Sequence, residues 1–284
     1  MLGLLFISPW IFGFLAFMVY PIVFSLYLSF SQYSGFSSPV WIGLDNYTQL
    51  LGDDVFWKSL YNTVYYMVLA VPFGIVVSMV MAVAMNQKLR EVAIYRAILY
   101  LPSVLPLFAL SFIFIWLMNP RYGLFNLVLT NVGLPAINWL GDPAWAKFSI
   151  VILAQMGAGG TALIFLAGLR AIPQDLYDAA RIDGAGPVRR FFSITLPLMT
   201  PVILYAVILG ITLGLQVFIQ SYIMTEGGPN QSTLFYVYYL YQNGFSYSQM
   251  GYASAMAWIL FVVTLILSIA IFRSSRRWVH YELS

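Results

Sequence analysis

The chain has 284 residues, of which 61% are hydrophobic, 18% aromatic and only 8% charged. With a mean hydropathy of +0.85, a water-soluble fold of this length would expose large apolar patches and aggregate. The net charge of +3 is spread over separate loops, so there is no basic face of the kind that binds nucleic acid. The composition therefore predicts a protein whose solvent is lipid.

Six apolar windows are long enough to cross a membrane, since a helical span needs about 20 residues. They cover about 4–30, 62–86, 96–118, 148–170, 198–224 and 251–273. The first window has no basic start and no small-residue cleavage site after it, so we expect a retained span and not a signal peptide. In the third, Pro102 and Pro106 predict a kink, because each removes a backbone donor. We therefore expect an all-α integral membrane protein with six transmembrane helices in one domain, residues 1–284.

Lys and Arg lie mainly on one side of this predicted membrane protein. Ten of the thirteen fall in the segment 87–96, the loop near 170–197 and the C-terminal tail: Lys88, Arg90, Arg96, Arg170, Arg181, Arg189, Arg190, Arg273, Arg276 and Arg277. The other side holds Lys58, Arg121 and Lys147. Because short loops rich in Lys and Arg stay in the cytoplasm, we expect both termini to be cytoplasmic.

The sequence contains no motif for enzymatic chemistry. It has no cysteine, a single histidine (His280), no Gly-x-x-x-x-Gly-Lys-Ser/Thr phosphate loop and no His-Glu-x-x-His pair. We therefore expect no catalytic residue, no metal site and no cofactor in this chain. The spans also lack charged residues near their centres, whereas ion-coupled carriers usually bury such groups. A transport pathway powered by a separate protein fits this pattern better.

A polar stretch at 171–197 interrupts the apolar spans. Pro173 suits the first turn of a short helix running to about Ile182, Gly184 suits a left-handed residue that ends it, and Pro187 can start a second helix. A helix of nine or ten residues is marginal in water, so it should gain stability by docking. Leu176, Ala179 and Ala180 form an apolar stripe on this helix, and the small side chains of the two alanines would let a partner's groove come close to the backbone.

The spacing of Asp178, Ala179, Ala180, Asp183 and Gly184, followed by Ile194-Thr-Leu-Pro197, resembles the EAA loop of binding-protein-dependent ABC importers. The resemblance runs nearly end to end, to sugar-uptake permeases of the maltose and glycerol-phosphate permease type. Further matching stretches are 41–47, 137–143, 165–169 and 225–229. One departure is Asp178, since the family usually has the longer Glu there.

The resemblance implies an ABC type I importer permease fold in a prokaryotic cell membrane, with residues 171–197 as the cytoplasmic coupling loop. It also implies the partners: a second homologous permease subunit, a cytoplasmic ABC ATPase dimer that binds ATP and Mg, and an extracytoplasmic solute-binding protein that delivers a sugar. The residues expected to contact the ATPase are Leu176, Asp178, Ala179, Ala180, Asp183 and Gly184.

Small residues share one helical face in each of two spans. They match cavity-lining positions of the maltose-type permeases, and with the nearby Gln they form the expected substrate path: Gly157, Gly160, Thr161, Gly210, Gly214, Val217, Gln220 and Ser221. Hydroxyl and amide groups there can hydrogen-bond a sugar. Small residues four apart are equally a common way for membrane helices to pack closely.

Two other functions fit parts of the sequence. A secondary transporter would need coupling sites near the membrane midplane, and transport driven by an ion gradient without an ATPase would indicate it. A structural subunit of a membrane complex, which never touches substrate, is the second alternative. A bulky residue at Gly214 would then affect assembly or nothing, and not substrate preference.

Overall fold

The computed structural model describes residues 2–87 and 91–280; Lys88 and Arg90 of the predicted basic loop lie outside these ranges. The described α-helices are α1 (Leu2–Phe14), α2 (Tyr20–Ser29), α3 (Asp45–Leu51), α4 (Asp54–Met85), α5 (Val92–Val104), α6 (Leu107–Leu117), α7 (Leu124–Asn131), α8 (Pro143–Ala154), α9 (Ala158–Ala171), α10 (Gln174–Ile182), α11 (Pro187–Arg190), α12 (Leu196–Leu198), α13 (Thr200–Leu215), α14 (Ile219–Met224), α15 (Tyr236–Tyr241) and α16 (Met250–Ser275). The fold is helical, as predicted.

Short irregular turns join several of these helices. Five-residue π-helical turns span Leu15–Val19, Phe191–Thr195 and Gln242–Ser246, and a 3-10 turn spans Gln155–Gly157. The sequence patterns did not predict the small antiparallel hairpin of β1 (Ser31–Gln32) and β2 (Val40–Trp41) that follows the first span.

Four helical stretches are each long and apolar enough to cross a membrane: Phe6–Ser29, Asp54–Met85, Pro143–Ala171 and Met250–Ser275. Two bent pairs, α5 with α6 and the stretch Pro187–Leu198 with α13, bring the described residues to six spans if each pair counts as one. The second span begins at Asp54, eight residues before the predicted start at 62, because Asp53 caps it by accepting a hydrogen bond from the Val55 N–H.

The third span is bent, as its prolines predict. The axes of α5 and α6 differ by 97°. Leu105 and Pro106 have extended backbone between the two helices, because a proline disfavours the helical conformation of the residue before it. Pro102 stays inside the last turn of α5.

The predicted fifth span, 198–224, extends beyond its helix at the C-terminal end. Its apolar helix α13 ends at Leu215, and the chain turns at Gln216 and Phe218 before a separate short helix, α14. On its other side α13 is bent by 65° from the stretch Pro187–Leu198. Neither average hydropathy nor turn residues reveal the turn at 216–218, because Gln-Val-Phe is mostly apolar and contains neither Gly nor Pro.

The long helix α4 packs against α9 and α13 along its length. Near its C-terminal end, a buried cluster joins it to the end of α9 and the start of α13: Met79, Ala82, Met85, Ala162, Phe165, Leu166, Leu169, Met199 and Ala206. Since α10 follows directly on α9, we call this the coupling end of the molecule. The opposite end, where α4 starts, we call the far end; a buried cluster there joins α3 and the first half of α4 to α15 and α16: Leu50, Phe56, Met67, Leu215, Tyr236, Tyr252, Ala255, Met256 and Leu260. Another buried cluster lies around the middle of α4: Tyr66, Ala70, Ile150, Val151, Val217 and Phe235.

Candidate functional site: a coupling helix and a central cavity

The polar stretch forms the short helix that its sequence predicts. Helix α10 covers Gln174–Ile182, with Asp175 in its first turn and Arg181 in its last, so both charges complement the helix dipole. Pro173 stands at the N-cap, one position earlier than expected. Pro187 is the first residue of α11, as predicted.

Gly184 ends α10 in a left-handed conformation, with φ of +75°. The Ala185 N–H donates to the Ala180 carbonyl at 2.8 Å, and the Gly184 N–H donates to the Arg181 carbonyl at 3.0 Å. This pair of bonds is the Schellman motif, which favours glycine at the left-handed position. The predicted cap is therefore confirmed, and it sets the direction in which the chain leaves the helix.

The apolar side of α10 is open to a partner. Leu176 is 41% exposed and Ala179 is also exposed, while Ala180 is half-buried. Ile182 is 88% exposed and extends this surface three residues beyond Ala179, a position that the sequence analysis did not single out. An exposed apolar surface on a short polar-rich helix is typical of a docking element.

The carboxylate of Asp178 is held within its own helix. It accepts hydrogen bonds from Arg181 Nη1 at 3.0 Å and from Gln174 Nε2 at 3.3 Å. Its contact with Arg181 is the only ion pair among the described residues. The Tyr177 hydroxyl is bonded to the Thr195 hydroxyl at 2.9 Å. Through this bond α10 is tied to the π-helical turn before the fifth span, a link that sequence patterns do not reveal.

A cavity of about 1140 Å³ lies among the spans. Its lining includes Tyr66, Ala70 and Val217 of the cluster around the middle of α4, and Ala206 of the cluster at the coupling end. Its walls come from α4, α5, α6, α13, α14, α15, α16 and the α8–α9 junction. The polar groups along it are those of Tyr66, Ser78, Ser103, Gln155, Thr161, Thr212, Gln216, Gln220 and Thr264. A space of this size with a few dispersed polar groups suits a small polar solute.

Six of the eight predicted path residues line this cavity: Gly157, Thr161, Gly210, Gly214, Val217 and Gln220. The glycines differ in what surrounds them. A methyl group added at Gly157 would meet nothing within 4 Å, but at Gly210 it would stand 2.9 Å from Val71 Cγ1 and at Gly214 3.2 Å from Met67 Cγ. The two glycines of the fifth span therefore also allow α13 to approach α4 closely.

Two predicted path residues are not part of the lining. Gly160 lies outside it, although a methyl group there would also meet open space. Ser221 is fully buried, and its hydroxyl donates to the Thr233 carbonyl. The reason is the break at 216–218: Ser221 belongs to α14 and not to α13, so the helical face drawn through Gly214 and Val217 does not extend to it.

The sequence analysis missed Gln155, at the junction between α8 and α9. Its Nε2 donates to the Val151 carbonyl at 2.8 Å, while its Oε1 is buried without a hydrogen-bond partner at the cavity wall. A Gln followed by Gly157, Gly159 and Gly160 was the available signal, because such a run loosens a helix.

At the far end, the carboxylate of Asp53 joins the start of α4 to α15 and α16 through hydrogen bonds. Asp53 Oδ2 accepts hydrogen bonds from the hydroxyls of Tyr239 and Tyr252, both at 2.6 Å. Burial raises the pKa of Asp53, but the bonds from these tyrosines and from backbone N–H groups outweigh it, so the pKa lies below its ordinary value of 3.8. Burial and the bond to Asp53 raise the pKa of Tyr239 to about 12.

Comparison with known proteins gives this architecture a family. The family of binding-protein-dependent transport system inner membrane components matches residues 74–280. A probable ABC transporter permease of Bacillus subtilis is 41% identical over 99% of this chain and 92% of its own. A trehalose/maltose transport system permease of Thermococcus litoralis is 35% identical, over 97% of this chain and 94% of its own.

Among solved structures, a chain of the bacterial alginate ABC transporter, in complex with an alginate pentasaccharide-bound periplasmic protein, has a TM-score of 0.83. It is 22% identical, and the match covers 97% of this chain and 94% of that one, so it supports the ABC importer permease fold. With this fold and these relatives, the chain belongs to the inner membrane components of binding-protein-dependent transport systems.

Proposed function

We propose that this chain is one of two permease subunits of an ATP-driven importer and forms half of the path for a sugar or sugar-like solute. The observation that carries the proposal is the combination, in one chain, of a central cavity with small and polar residues and an exposed docking helix at one end. The relative named for trehalose and maltose transport supports a sugar.

The partners follow from this arrangement. A second permease subunit completes the cavity, and a solute-binding protein, like the periplasmic protein in the alginate transporter complex, delivers the solute at the far end. An ATPase dimer, which supplies ATP hydrolysis with Mg, receives α10 of each permease subunit. The chain itself has no catalytic role.

Orientation is proposed from charge. Arg96, Arg170, the arginines of the 171–197 loop and those of the C-terminal tail favour a cytoplasmic location. The coupling end and both termini then face the cytoplasm of a prokaryotic cell, and the far end faces outside.

In this mechanism, closure of the ATPase dimer moves the two coupling helices toward each other. The bond between Tyr177 and Thr195 and the Schellman cap pass that movement to the bent start of the fifth span. The cavity then changes from inward-facing to outward-facing, which is alternating access driven from outside the chain.

The test is a pair of valine substitutions in the purified complex with its second permease, ATPase and binding protein. Gly184→Val disfavours the left-handed cap without a clash, since a side chain there meets nothing within 4 Å. Gly186→Val is the matched control, because Gly186 also meets nothing within 4 Å and has an ordinary extended backbone.

We expect sugar-loaded binding protein to stimulate ATP hydrolysis in the wild type and in Gly186→Val, and about tenfold less in Gly184→Val, which corresponds to the roughly 1 to 2 kcal/mol cost of a left-handed side chain. Equal stimulation of both variants would refute a coupling role for α10. Uptake driven by an ion gradient without the ATPase would instead favour a secondary transporter.

A further inference from the structure

Aromatic rings form a connected cluster at the wall of the cavity. Phe218, at the turn before α14, lines the cavity. Its ring is stacked on the ring of Tyr222, with centroids 5.4 Å apart, and its centroid lies 5.2 Å from that of Tyr241 in α15. The ring centroids of Tyr222 and Tyr241 are 5.8 Å apart. Three rings, contributed by α14 with its preceding turn and by α15, therefore meet beside the cavity.

The cluster continues to the surface of the chain. Tyr222 is 45% exposed. The ring of Tyr241 also contacts the ring of Phe245, with centroids 5.2 Å apart, and Phe245 is 65% exposed. Direct contacts between rings thus connect Phe218 at the cavity wall with side chains that are open to a visitor from outside the chain.

Helix α15 places this cluster at the far end of the cavity. Val237 and Leu240 of this helix line the cavity. Tyr239 of the same helix is bonded to Asp53 at the start of α4, which is the far end. The exposed rings therefore lie on the side of the cavity where the proposed function has the binding protein deliver its solute.

Exposed aromatic residues of membrane proteins commonly form belts at the membrane surface. Tyr122, in the loop after α6, fits that role: it is 63% exposed, lies outside the cavity lining and has no ring contact among the described residues. The cluster around Phe218 is different, because its rings contact one another and one of them lines the cavity.

We propose that Phe218, Tyr222 and Tyr241 form a subsite that stacks the ring of a saccharide at the far end of the cavity, and that Phe245 extends this subsite to the surface. The inference rests on the proposed function and assigns it residues outside the predicted path. One face of a pyranose ring carries mainly C–H groups, which pack on an aromatic ring as apolar surface. Tyrosine hydroxyls can bond the hydroxyls at the rim of the sugar.

The experiment measures ATP-dependent uptake of pyranose disaccharides, trehalose and maltose among them, into proteoliposomes holding the full complex with its binding protein. Tyr222→Leu removes the ring but keeps an apolar side chain, whereas Tyr222→Phe keeps the ring without the hydroxyl. Tyr122→Leu is the matched control, since it removes an exposed tyrosine that lies outside the cluster. The yield of assembled complex and the half-saturating concentration of loaded binding protein are measured for each variant.

We expect Tyr222→Leu to slow uptake about tenfold at saturating loaded binding protein, which is near the upper end of what one aromatic contact contributes. The half-saturating concentration should not change, because the ring contacts the sugar and not the binding protein. Tyr222→Phe should stay within about threefold of the wild type, since it keeps the stacking surface. Phe245→Leu should slow uptake by a smaller factor than Tyr222→Leu, and Tyr122→Leu should transport normally.

Four results would overturn the proposal. Tyr222→Leu transports at the wild-type rate, which makes the ring a lipid-facing one; it lowers only the yield of complex, which makes the ring a contact of the second permease; or it raises the half-saturating concentration and leaves the rate unchanged, which makes the ring a contact of the binding protein. In the fourth, Tyr222→Phe is as slow as Tyr222→Leu, so that the hydroxyl and not the ring matters. If the wild type takes up no saccharide, the proposed function itself fails.

Discussion

At the scale of single residues, Asp53 shows how one side chain joins distant parts of the chain. Its carboxylate caps α4 through the Val55 N–H and accepts the hydroxyls of Tyr239 and Tyr252, residues far away in the sequence. These bonds are stronger to the ionised carboxylate than to the protonated carboxyl, and they account for the lowered pKa. Protonation should therefore loosen the far end.

We predict that Asp53→Asn lowers the thermal unfolding midpoint of the detergent-purified complex at pH 6, at a cost of about 1 to 2 kcal/mol for a partly exposed carboxylate. Because the folded pKa lies below 3.8, the stability that Asp53 contributes is present above that value and is lost as the pH falls through the folded pKa. The gap between wild type and variant should narrow below pH 3.8; a gap that stays constant from pH 6 to 3 would contradict the assignment.

At the scale of helices, the close approach of α13 to α4 depends on Gly210. A methyl group there would stand 2.9 Å from Val71 Cγ1, so α13 must move or Val71 must change its rotamer. Gly157, whose neighbourhood is open, has no such contact. Both glycines lie on helical faces that the sequence predicts to line the substrate path. Gly210 is packed against a neighbouring helix, and Gly157 faces open space.

We predict that Gly210→Ala destabilises the complex by about 1 to 3 kcal/mol, the usual cost of overpacking. Adding Val71→Ala should restore part of the lost stability, since it removes the group in the way, and Gly157→Ala should unfold at the wild-type temperature. Thermal unfolding of the four proteins tests this, and a Gly210→Ala variant as stable as wild type would show that α13 and α4 are not held at this distance.

At the scale of the whole molecule, the central cavity should control passage without controlling assembly. Gly157→Leu fills space at its wall, where no atom lies within 4 Å of the new Cβ. We predict that the complex assembles at normal yield but takes up solute about tenfold more slowly, equivalent to roughly 1.4 kcal/mol of steric exclusion. Gly13→Leu, equally open but on α1 away from the cavity, should transport normally. Unchanged uptake by Gly157→Leu would place the path elsewhere.

Much of the molecule follows from local sequence properties. Runs of apolar residues determine which segments enter the membrane, because the hydrocarbon layer accepts helices of about 20 residues. The bounds of α10 follow from Pro173, Gly184 and Pro187, since proline and glycine restrict or free the backbone at their own positions. The bend of the third span follows from Pro106 in the same way.

Other features were decided only by the tertiary structure. The break at 216–218 contains no Gly or Pro that would have predicted it. Because of this break, Ser221 does not line the predicted substrate path, and its buried hydroxyl donates a hydrogen bond to the Thr233 carbonyl. The bonds of Asp53 to Tyr239, and of Tyr177 to Thr195, join residues from separate helices. The sequence by itself determined which stretches form apolar helices long enough to cross a membrane and where the short helix α10 lies, because these depend on neighbours along the chain. Which side chains meet around the cavity depends on how helices distant in sequence pack, and no local pattern records that.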